Sequence, residues 1–126
     1  GDLNKLSKEL RSILKKTEKL TKKNKKITVN LAINYGSRQE IFYALKRLKK
    51  RVNLRNFTKN LYTKNMPNPD ILIRTGGKFR LSNFMLWQLA YTELFFLKKL
   101  WPDFNSLDLK KIILKYKNIK RNFGSV

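Results

Sequence analysis

The chain has 126 residues and contains no cysteine and no histidine. Without cysteine there can be no disulfide bond, no thiolate metal ligand and no thiol nucleophile. Without histidine the chain lacks the side chain that most often moves protons near neutral pH. Any proton transfer would therefore have to use another group.

Acidic residues are also scarce, because 8 Asp and Glu stand against 30 Lys and Arg, a formal net charge of +22. A charge of this size is typical of proteins that bind nucleic acid. The lysines are, however, spread over every predicted helix, and no RNA- or DNA-binding motif occurs. A basic nucleic-acid-binding protein stays open as an alternative, but we expect solvated helix faces, one phosphate site and no nucleic-acid partner.

Long apolar runs are absent as well. None approaches the roughly 20 residues that a membrane-spanning helix needs, and residues 94–97 (LFFL) are more typical of a buried strand. The chain opens on a charged segment instead of a signal peptide. We therefore expect a cytoplasmic protein.

The first half of the sequence shows one strand pattern among helices. Apolar residues recur at helical spacing from Leu3 to Leu20, which predicts an amphipathic helix capped by Asp2. Apolar side chains alternate with polar or small ones over residues 27–33, which predicts a strand. Apolar residues from Ile41 to Val52 predict a second helix, and those from Leu54 to Leu61 a shorter third one.

In the second half we predict strands over residues 70–74 and 92–97. A helix from Ser82 to about Ala90 lies between them, and Ser106 caps a last helix. Strands that alternate with helices indicate an α/β fold with a mostly parallel sheet flanked by helices on both faces.

The strand over residues 70–74 ends in Arg74, which is followed by Gly76-Gly77, Arg80 and Ser82. Each guanidinium group can present a planar fork of donors to phosphate oxygens, and the hydroxyl adds another polar contact. Ligands of open α/β sheets gather beyond the carboxyl ends of strands. The alternative is that both arginines form ordinary ion pairs, but the chain has few acidic partners. The pattern therefore favours a phosphate site.

The same region carries several longer motifs in a fixed order. Residues 73–77 (IRTGG), 80–84 (RLSNF), 86–88 (LWQ) and 101–104 (WPDF) closely resemble the cis-prenyltransferases, nearest to the bacterial undecaprenyl diphosphate synthases. Residues 34–41 (NYGSRQEI) are similar to the family's Asn-Tyr-Gly-Gly-Arg block, and Phe123-Gly124 to its C-terminal ending. The resemblance covers almost the whole chain.

This resemblance implies a cis-prenyltransferase fold without its N-terminal part, with residues 1–126 as the C-terminal portion of a single domain. It implies a magnesium-dependent prenyltransferase that condenses isopentenyl diphosphate onto an allylic diphosphate, giving a long cis-polyprenyl diphosphate of the undecaprenyl type. The family's Asp-Gly-Asn-Gly-Arg-Trp signature does not occur here, so we expect these residues alone to be inactive. A noncatalytic partner subunit of a heteromeric cis-prenyltransferase is the alternative.

By the same resemblance, the diphosphate of isopentenyl diphosphate is bound by Arg74, Arg80, Leu81 and Ser82, and Glu93 is a ligand of Mg²⁺. No catalytic residue is expected in this portion. The resemblance also implies a homodimer, and a product that associates with membrane surfaces.

The sequence departs from the family pattern in three places. Lys78 stands where bacterial members commonly have glutamate, which reverses a charge inside the site loop. Ile119 and Asn122 stand where arginines are common, and Ser37 replaces a frequent glycine. The first two changes bear on the affinity for isopentenyl diphosphate.

The charge of +22 provides a test against the nucleic-acid alternative. If it served RNA or DNA binding, affinity for a random oligonucleotide would be high at physiological salt and would fall steeply with its logarithm. We expect only weak, nonspecific binding in a fluorescence anisotropy titration. Submicromolar binding at physiological salt that Arg74→Ala abolishes would contradict the phosphate-site interpretation.

Overall fold

The computed structural model of the chain describes residues 1–48 and 52–121. Asn122 and the Phe123-Gly124 ending noted above lie outside the described residues. The chain forms two compact units, Gly1–Tyr62 and Thr63–Val126. The described part of the first unit contains helices, and that of the second contains a parallel pair of strands and one α-helix.

The first unit contains α1 (Lys8–Thr21), α2 (Ser37–Lys46) and α3 (Leu54–Thr58). The helix predicted from Leu3 to Leu20 forms as α1, but it begins later than predicted, because a 3₁₀ turn at Leu3–Lys5 precedes it. Asp2 does act as a cap, since its side chain accepts a hydrogen bond from the Asn4 N–H at 3.0 Å. Ser7 then caps α1 by accepting from the Leu10 N–H at 3.2 Å. Two side-chain caps in succession therefore divide the expected helix.

The strand predicted over residues 27–33 is not formed. The segment has no regular secondary structure, and Ile27, Val29 and Leu31 are exposed. A strand needs a neighbour to satisfy its backbone N–H and C=O groups. Within the described residues the sheet has two strands, and neither is this segment. The alternating pattern alone does not produce a strand, because no other described segment pairs with these residues.

The core of the first unit lies between α2 and α3. Ala44, Phe57 and Leu61 are buried, and Ile41 and Leu48 pack against them. Ile41, Leu48, Phe57 and Leu61 belong to the apolar spacing that predicted the two helices, whereas Leu45, Val52 and Leu54 of the same spacing are exposed. Because this core is small, polar contacts also help to hold the segments of the first unit together.

One of these polar contacts is made by Glu40, in the first turn of α2, which is 1% exposed. Its carboxylate accepts from the Tyr35 hydroxyl at 2.5 Å and from the Tyr62 N–H at 2.8 Å. The carboxylate therefore connects the turn before α2 to the residues after α3. Burial raises the pKa of the Tyr62 hydroxyl, which keeps this neighbouring group neutral.

The second unit contains β1 (Ile71–Arg74) and β2 (Glu93–Phe96), which pair in parallel with Ile71 opposite Glu93 and Arg74 opposite Phe96. The Leu97 N–H donates to the Arg74 carbonyl oxygen at 2.8 Å, just beyond the paired residues. The predicted parallel arrangement of these two strands is confirmed.

A 3₁₀ turn at Trp101–Asp103 leads from β2 to α4 (Ser106–Lys117). Ser106 is not the cap of this helix. Asn105 is the N-cap, and it forms a capping box in which the Asp108 carboxylate accepts from the Asn105 N–H at 3.0 Å. An asparagine at this position competes well with serine because its side-chain oxygen reaches the first free N–H groups.

The helix predicted from Ser82 to Ala90 is also wrong, since this segment is a series of turns. Ser82, Asn83 and Met85 have φ of 49°, 63° and 47°. A right-handed α-helix requires negative φ at every residue. Ser82 is moreover engaged by a side chain from β1, so its hydroxyl is not directed at the start of a helix.

No helix within residues 1–48 and 52–121 combines the length and the apolar character needed to cross a bilayer.

Glu40→Gln tests the role of the buried carboxylate. The amide would place an N–H₂ group next to the Tyr62 N–H or the Tyr35 hydroxyl, so at least one buried donor loses its acceptor. We expect the free energy of unfolding to fall by about 1 to 3 kcal/mol in urea titrations followed by circular dichroism. Glu18→Gln on the exposed surface of α1 is the control and should be neutral; equal effects in both variants would contradict the assigned role.

Candidate functional site

The loop after β1 is shaped by two glycines in the left-handed region, Gly76 with φ of 86° and Gly77 with φ of 68°. Their N–H groups donate to the carbonyl oxygens of Lys99 at 2.9 Å and Leu97 at 2.8 Å. The loop is therefore tied to the segment that follows β2. Because both N–H groups are used inside the chain, the glycines serve the loop's conformation and do not offer these donors to an anion.

Arg74, the last residue of β1, spans this loop with its side chain. Its Nη1 donates to the carbonyl oxygen of Arg80 and to the Ser82 Oγ, the latter at 3.0 Å. A guanidinium group has five N–H donors, and two of them lie on Nη1. Those on Nε and Nη2 make no hydrogen bond to the described residues. Arg74, Arg80 and Ser82, singled out from the sequence, are thus brought together, although the Arg80 side chain itself is exposed.

A cavity of about 330 Å³ opens beside Arg74. Its lining is apolar except for one arginine and one serine, and it consists of Leu72, Ile73, Arg74, Leu81, Ser82 and Phe84. Leu81, the fourth predicted binding residue, therefore lines the cavity. Cavities that combine a mostly apolar lining with a few convergent polar groups are typical ligand sites. This one suits a small molecule with an anionic head and an apolar body.

The cations of the loop form no ion pair within the described part of the chain. Among the described residues, no salt bridge involves Arg74, Lys78 or Arg80. The predicted alternative, in which the two arginines make ordinary ion pairs, is therefore not what the structure shows. The positive charges of these three residues are not neutralised by carboxylates. They therefore attract an anion to this end of the strands.

Two acids of the second unit are engaged by other cations. Asp70 accepts from Arg121 Nη1 at 2.9 Å, and this hydrogen bond raises the pKa of the Arg121 guanidinium. Asp108 accepts from Lys99 Nζ at 2.8 Å, and this hydrogen bond lowers the pKa of the Asp108 carboxyl. Lys99 therefore contacts α4 with its side chain while its carbonyl oxygen holds the Gly76 N–H.

Glu93, the predicted magnesium ligand, is not brought to this group. It starts β2 opposite Ile71, whereas Arg74 lies opposite Phe96 at the other end of the pair. The two ends are three residue steps apart along the strand, which is a distance of about 10 Å. The described residues also contain no cluster of three or more Asp, Glu, His or Cys side chains that could hold a metal ion. The described residues therefore do not by themselves complete a magnesium site.

Sequence reasoning missed several residues of the site. Phe84 lines the cavity and lies within the RLSNF motif, so the motif could have indicated Phe84 as a residue of the site. Lys99 holds the loop through its backbone, which no side-chain pattern could reveal. Arg121 also donates to the Tyr116 hydroxyl and the Tyr91 carbonyl oxygen, contacts that no local sequence pattern indicates.

Comparison with known proteins gives a consistent result. A sequence model of the undecaprenyl diphosphate synthase family matches residues 1–124. An isoprenyl transferase of Fusobacterium nucleatum is 44% identical over 130 residues, which is 100% of this chain and 56% of the relative. A ditrans,polycis-undecaprenyl-diphosphate synthase of Haemophilus influenzae, specific for (2E,6E)-farnesyl diphosphate, is 42% identical over 98% of this chain and 56% of its own length.

Two solved structures are similar over 99% of the chain. A probable undecaprenyl diphosphate synthase of Campylobacter jejuni is 40% identical with a TM-score of 0.90, and 61% of that protein is covered. Lavandulyl diphosphate synthase of Lavandula x intermedia, in complex with dimethylallyl diphosphate, is 36% identical with a TM-score of 0.93 and is covered over 58%. The chain therefore spans little more than half the length of these relatives.

Gly76→Ala tests whether the loop needs its left-handed residue. A side chain here would meet no atom within 4 Å, so the cost comes from φ alone, about 1 to 2 kcal/mol in the free energy of unfolding. Gly76→Asn is the matched control, because asparagine tolerates positive φ better than alanine does. We expect the alanine variant to be the less stable of the two in urea titrations. The reverse order would show that the loop does not hold this conformation in solution.

Proposed function

The chain belongs to the undecaprenyl diphosphate synthase family, and we propose that it forms the C-terminal portion of a cis-prenyltransferase that binds isopentenyl diphosphate at Arg74, Arg80, Leu81 and Ser82. The assembled enzyme would add isopentenyl units to an allylic diphosphate and yield a long cis-polyprenyl diphosphate of the undecaprenyl type. Because the chain spans little more than half of its relatives, we expect it to show no turnover by itself.

The observation that carries this proposal is the position of Arg74. Its guanidinium bridges Arg80 and Ser82 at the polar end of an apolar cavity, with no salt bridge to a described acidic residue. The diphosphate head would accept hydrogen bonds from the N–H groups on Nε and Nη2 of Arg74 and from the Ser82 hydroxyl. Charge-assisted hydrogen bonds of this kind are about twice as strong as neutral ones.

The apolar lining would receive the remainder of the substrate. Leu72, Leu81 and Phe84 surround the cavity beyond Arg74, and a five-carbon isopentenyl group is small enough for a volume of about 330 Å³. Holding the head at one end and the alkene among apolar side chains would fix the reacting carbon relative to a second substrate. Such positioning lowers the entropic part of the barrier.

In the reaction we propose, the isopentenyl alkene forms a bond to the allylic carbon, the allylic C–O bond breaks with loss of diphosphate, and a proton leaves the isopentenyl unit. None of these steps needs a side-chain nucleophile, so the absence of cysteine and histidine is compatible with them. The contribution of this chain is the binding and orientation of isopentenyl diphosphate by its cations.

We further propose that Glu93 supplies one oxygen ligand for Mg²⁺ in the assembled enzyme, where the ion would offset phosphate charge. The remaining ligands would have to come from residues other than the described ones, because no acidic cluster lies among these. From the family resemblance we also propose that the assembled enzyme is a homodimer. By the same resemblance, its product would associate with membrane surfaces.

Arg74→Ala should weaken the binding of isopentenyl diphosphate to this chain by roughly ten- to a hundredfold, since a charge-assisted contact to phosphate contributes about 1.5 to 3 kcal/mol. Isothermal titration calorimetry would measure the loss, and inorganic pyrophosphate as a second ligand would report the head group alone. Arg80→Ala should act in the same direction.

Arg55→Ala is the matched control, because it removes an exposed arginine from α3, in the other unit of the chain. We expect its affinity to equal that of the unaltered chain. Equal affinity of the Arg74→Ala, Arg80→Ala and Arg55→Ala variants would refute the assignment of the site.

A further inference from the structure

Two lysines, Lys78 and Lys98, lie on the loops that follow β1 and β2, and we name them the lysine pair. Lys78 comes directly after Gly77, and a Cβ atom added to Gly77 would lie 3.8 Å from the Cα of Lys98. The two loops are therefore in contact at this point. Both lysines are exposed, and neither forms an ion pair with any residue that the structure describes.

The loop that carries Lys78 is held on both sides of this residue. The N–H groups of the two preceding glycines donate to carbonyl oxygens of the segment after β2. The ring of the following residue, Phe79, packs against the ring of Phe96 in β2, with 5.4 Å between the centroids. The backbone of the lysine pair is thus fixed at the end of the strands where Arg74 lies. A fixed backbone reduces the entropy that is lost when a ligand binds.

The acids of the second unit are poorly placed to hold a metal ion at this end. Glu93 begins β2 at the opposite end of the strand pair. Asp70 accepts from Arg121, and Asp108 accepts from Lys99. The fourth acid of this unit, Asp103, is a single carboxylate, whereas Mg²⁺ usually needs several oxygen ligands. Cations are therefore better suited than a metal ion to neutralise a phosphate group here.

We propose that the lysine pair binds the terminal phosphate of a diphosphate whose other phosphate lies at Arg74 and Ser82, and that this chain thereby selects a diphosphate over a monophosphate without a metal ion. The inference rests on the proposed function, because it assigns two further residues to the same head group. It concerns the end of the strands at Arg74 and not the opposite end, where Glu93 lies.

The cavity supports this order of the two phosphates. Neither lysine lines it, whereas Arg74 and Ser82 do. An alkyl group inside the cavity would place the attached phosphate at Arg74 and the terminal phosphate farther out, on the side of the loops. A phosphate ester carries about −1.5 to −2 charges at neutral pH, and a diphosphate carries more. The flexible ammonium groups of two lysines can follow this outer charge.

The alternative is that the lysine pair is only part of the general charge of +22. Exposed charges farther than about 8 Å from a ligand are largely screened at physiological salt. A lysine elsewhere on the surface should therefore have little effect on the binding of a phosphate at Arg74. This difference makes the two explanations separable by substitution.

The experiment is isothermal titration calorimetry of this chain at physiological salt in EDTA, with inorganic pyrophosphate and orthophosphate as the probes. We expect pyrophosphate to bind at least about tenfold more tightly than orthophosphate. The double variant Lys78→Gln/Lys98→Gln should lose at least about tenfold in pyrophosphate affinity, while its orthophosphate affinity stays within about twofold. Equal affinity of the unaltered chain for the two probes would overturn the proposal.

Lys16→Gln/Lys59→Gln is the matched control, because it also removes two exposed lysines but from the other unit of the chain. We expect its affinities to equal those of the unaltered chain. Lys78→Arg/Lys98→Arg keeps both charges and should retain the preference for pyrophosphate, and circular dichroism would verify that every variant is folded. A loss in the double glutamine variant that does not exceed the loss in the control would refute the role of the lysine pair.

Replacing EDTA by excess Mg²⁺ tests the metal-free part of the proposal. We expect pyrophosphate to bind no more tightly, because its Mg²⁺ complex offers less negative charge to the lysines. Tighter binding with Mg²⁺ would contradict the proposal.

Arg74→Ala separates this inference from the proposed function. If Arg74→Ala weakens the binding of pyrophosphate and the double glutamine variant does not, the head-group site stands and the lysine pair has no part in it. If neither variant weakens binding, the proposed function fails together with the inference.

Discussion

The parallel pairing of β1 with β2 is the constraint on which the rest of the candidate site depends. Four residues from each strand are paired, and this places the residues after Arg74 beside the residues after Phe96. Only in that arrangement can the glycine loop donate to the carbonyl oxygens of Leu97 and Lys99. With the loop held in this way, the Arg74 side chain crosses to Ser82 and closes the polar end of the cavity. Loss of the pairing between β1 and β2 would therefore disrupt the glycine loop, the hydrogen bond from Arg74 to Ser82 and the cavity together.

The parts of the fold that the sequence predicted are those whose interactions are local or directly paired. Apolar spacing located α2 and α3, whose buried residues Ala44 and Phe57 form one core with Leu61, which follows α3. The strands around residues 71–74 and 93–96 were also correctly predicted, because short apolar runs bounded by polar residues have few other structures available. The Arg74, Arg80 and Ser82 grouping was predicted from an arginine at a strand end followed by two glycines.

The errors have two physical sources. Residues 27–33 carry a strand pattern, but a pattern describes which face prefers burial and cannot supply the neighbour that completes a ladder. Residues 82–90 carry a helix pattern, but Ser82, Asn83 and Met85 adopt positive φ while Arg74 engages the Ser82 hydroxyl. In both cases the local structure depends on whether another segment pairs with or binds the residues, which their own pattern does not describe. The same limit explains why the role of the Lys99 carbonyl could not be foreseen.

The use of the Gly76 and Gly77 N–H groups inside the chain has a consequence for how such a site can change over evolution. A loop that binds phosphate through backbone amides presents the same donors whatever side chains it carries, so its preference is resistant to mutation. At the proposed site, recognition of the anion would fall to side chains, above all Arg74 and Ser82. Single codon changes can therefore retune which head group is accepted without rebuilding the loop, and relatives with different substrates could arise from one scaffold.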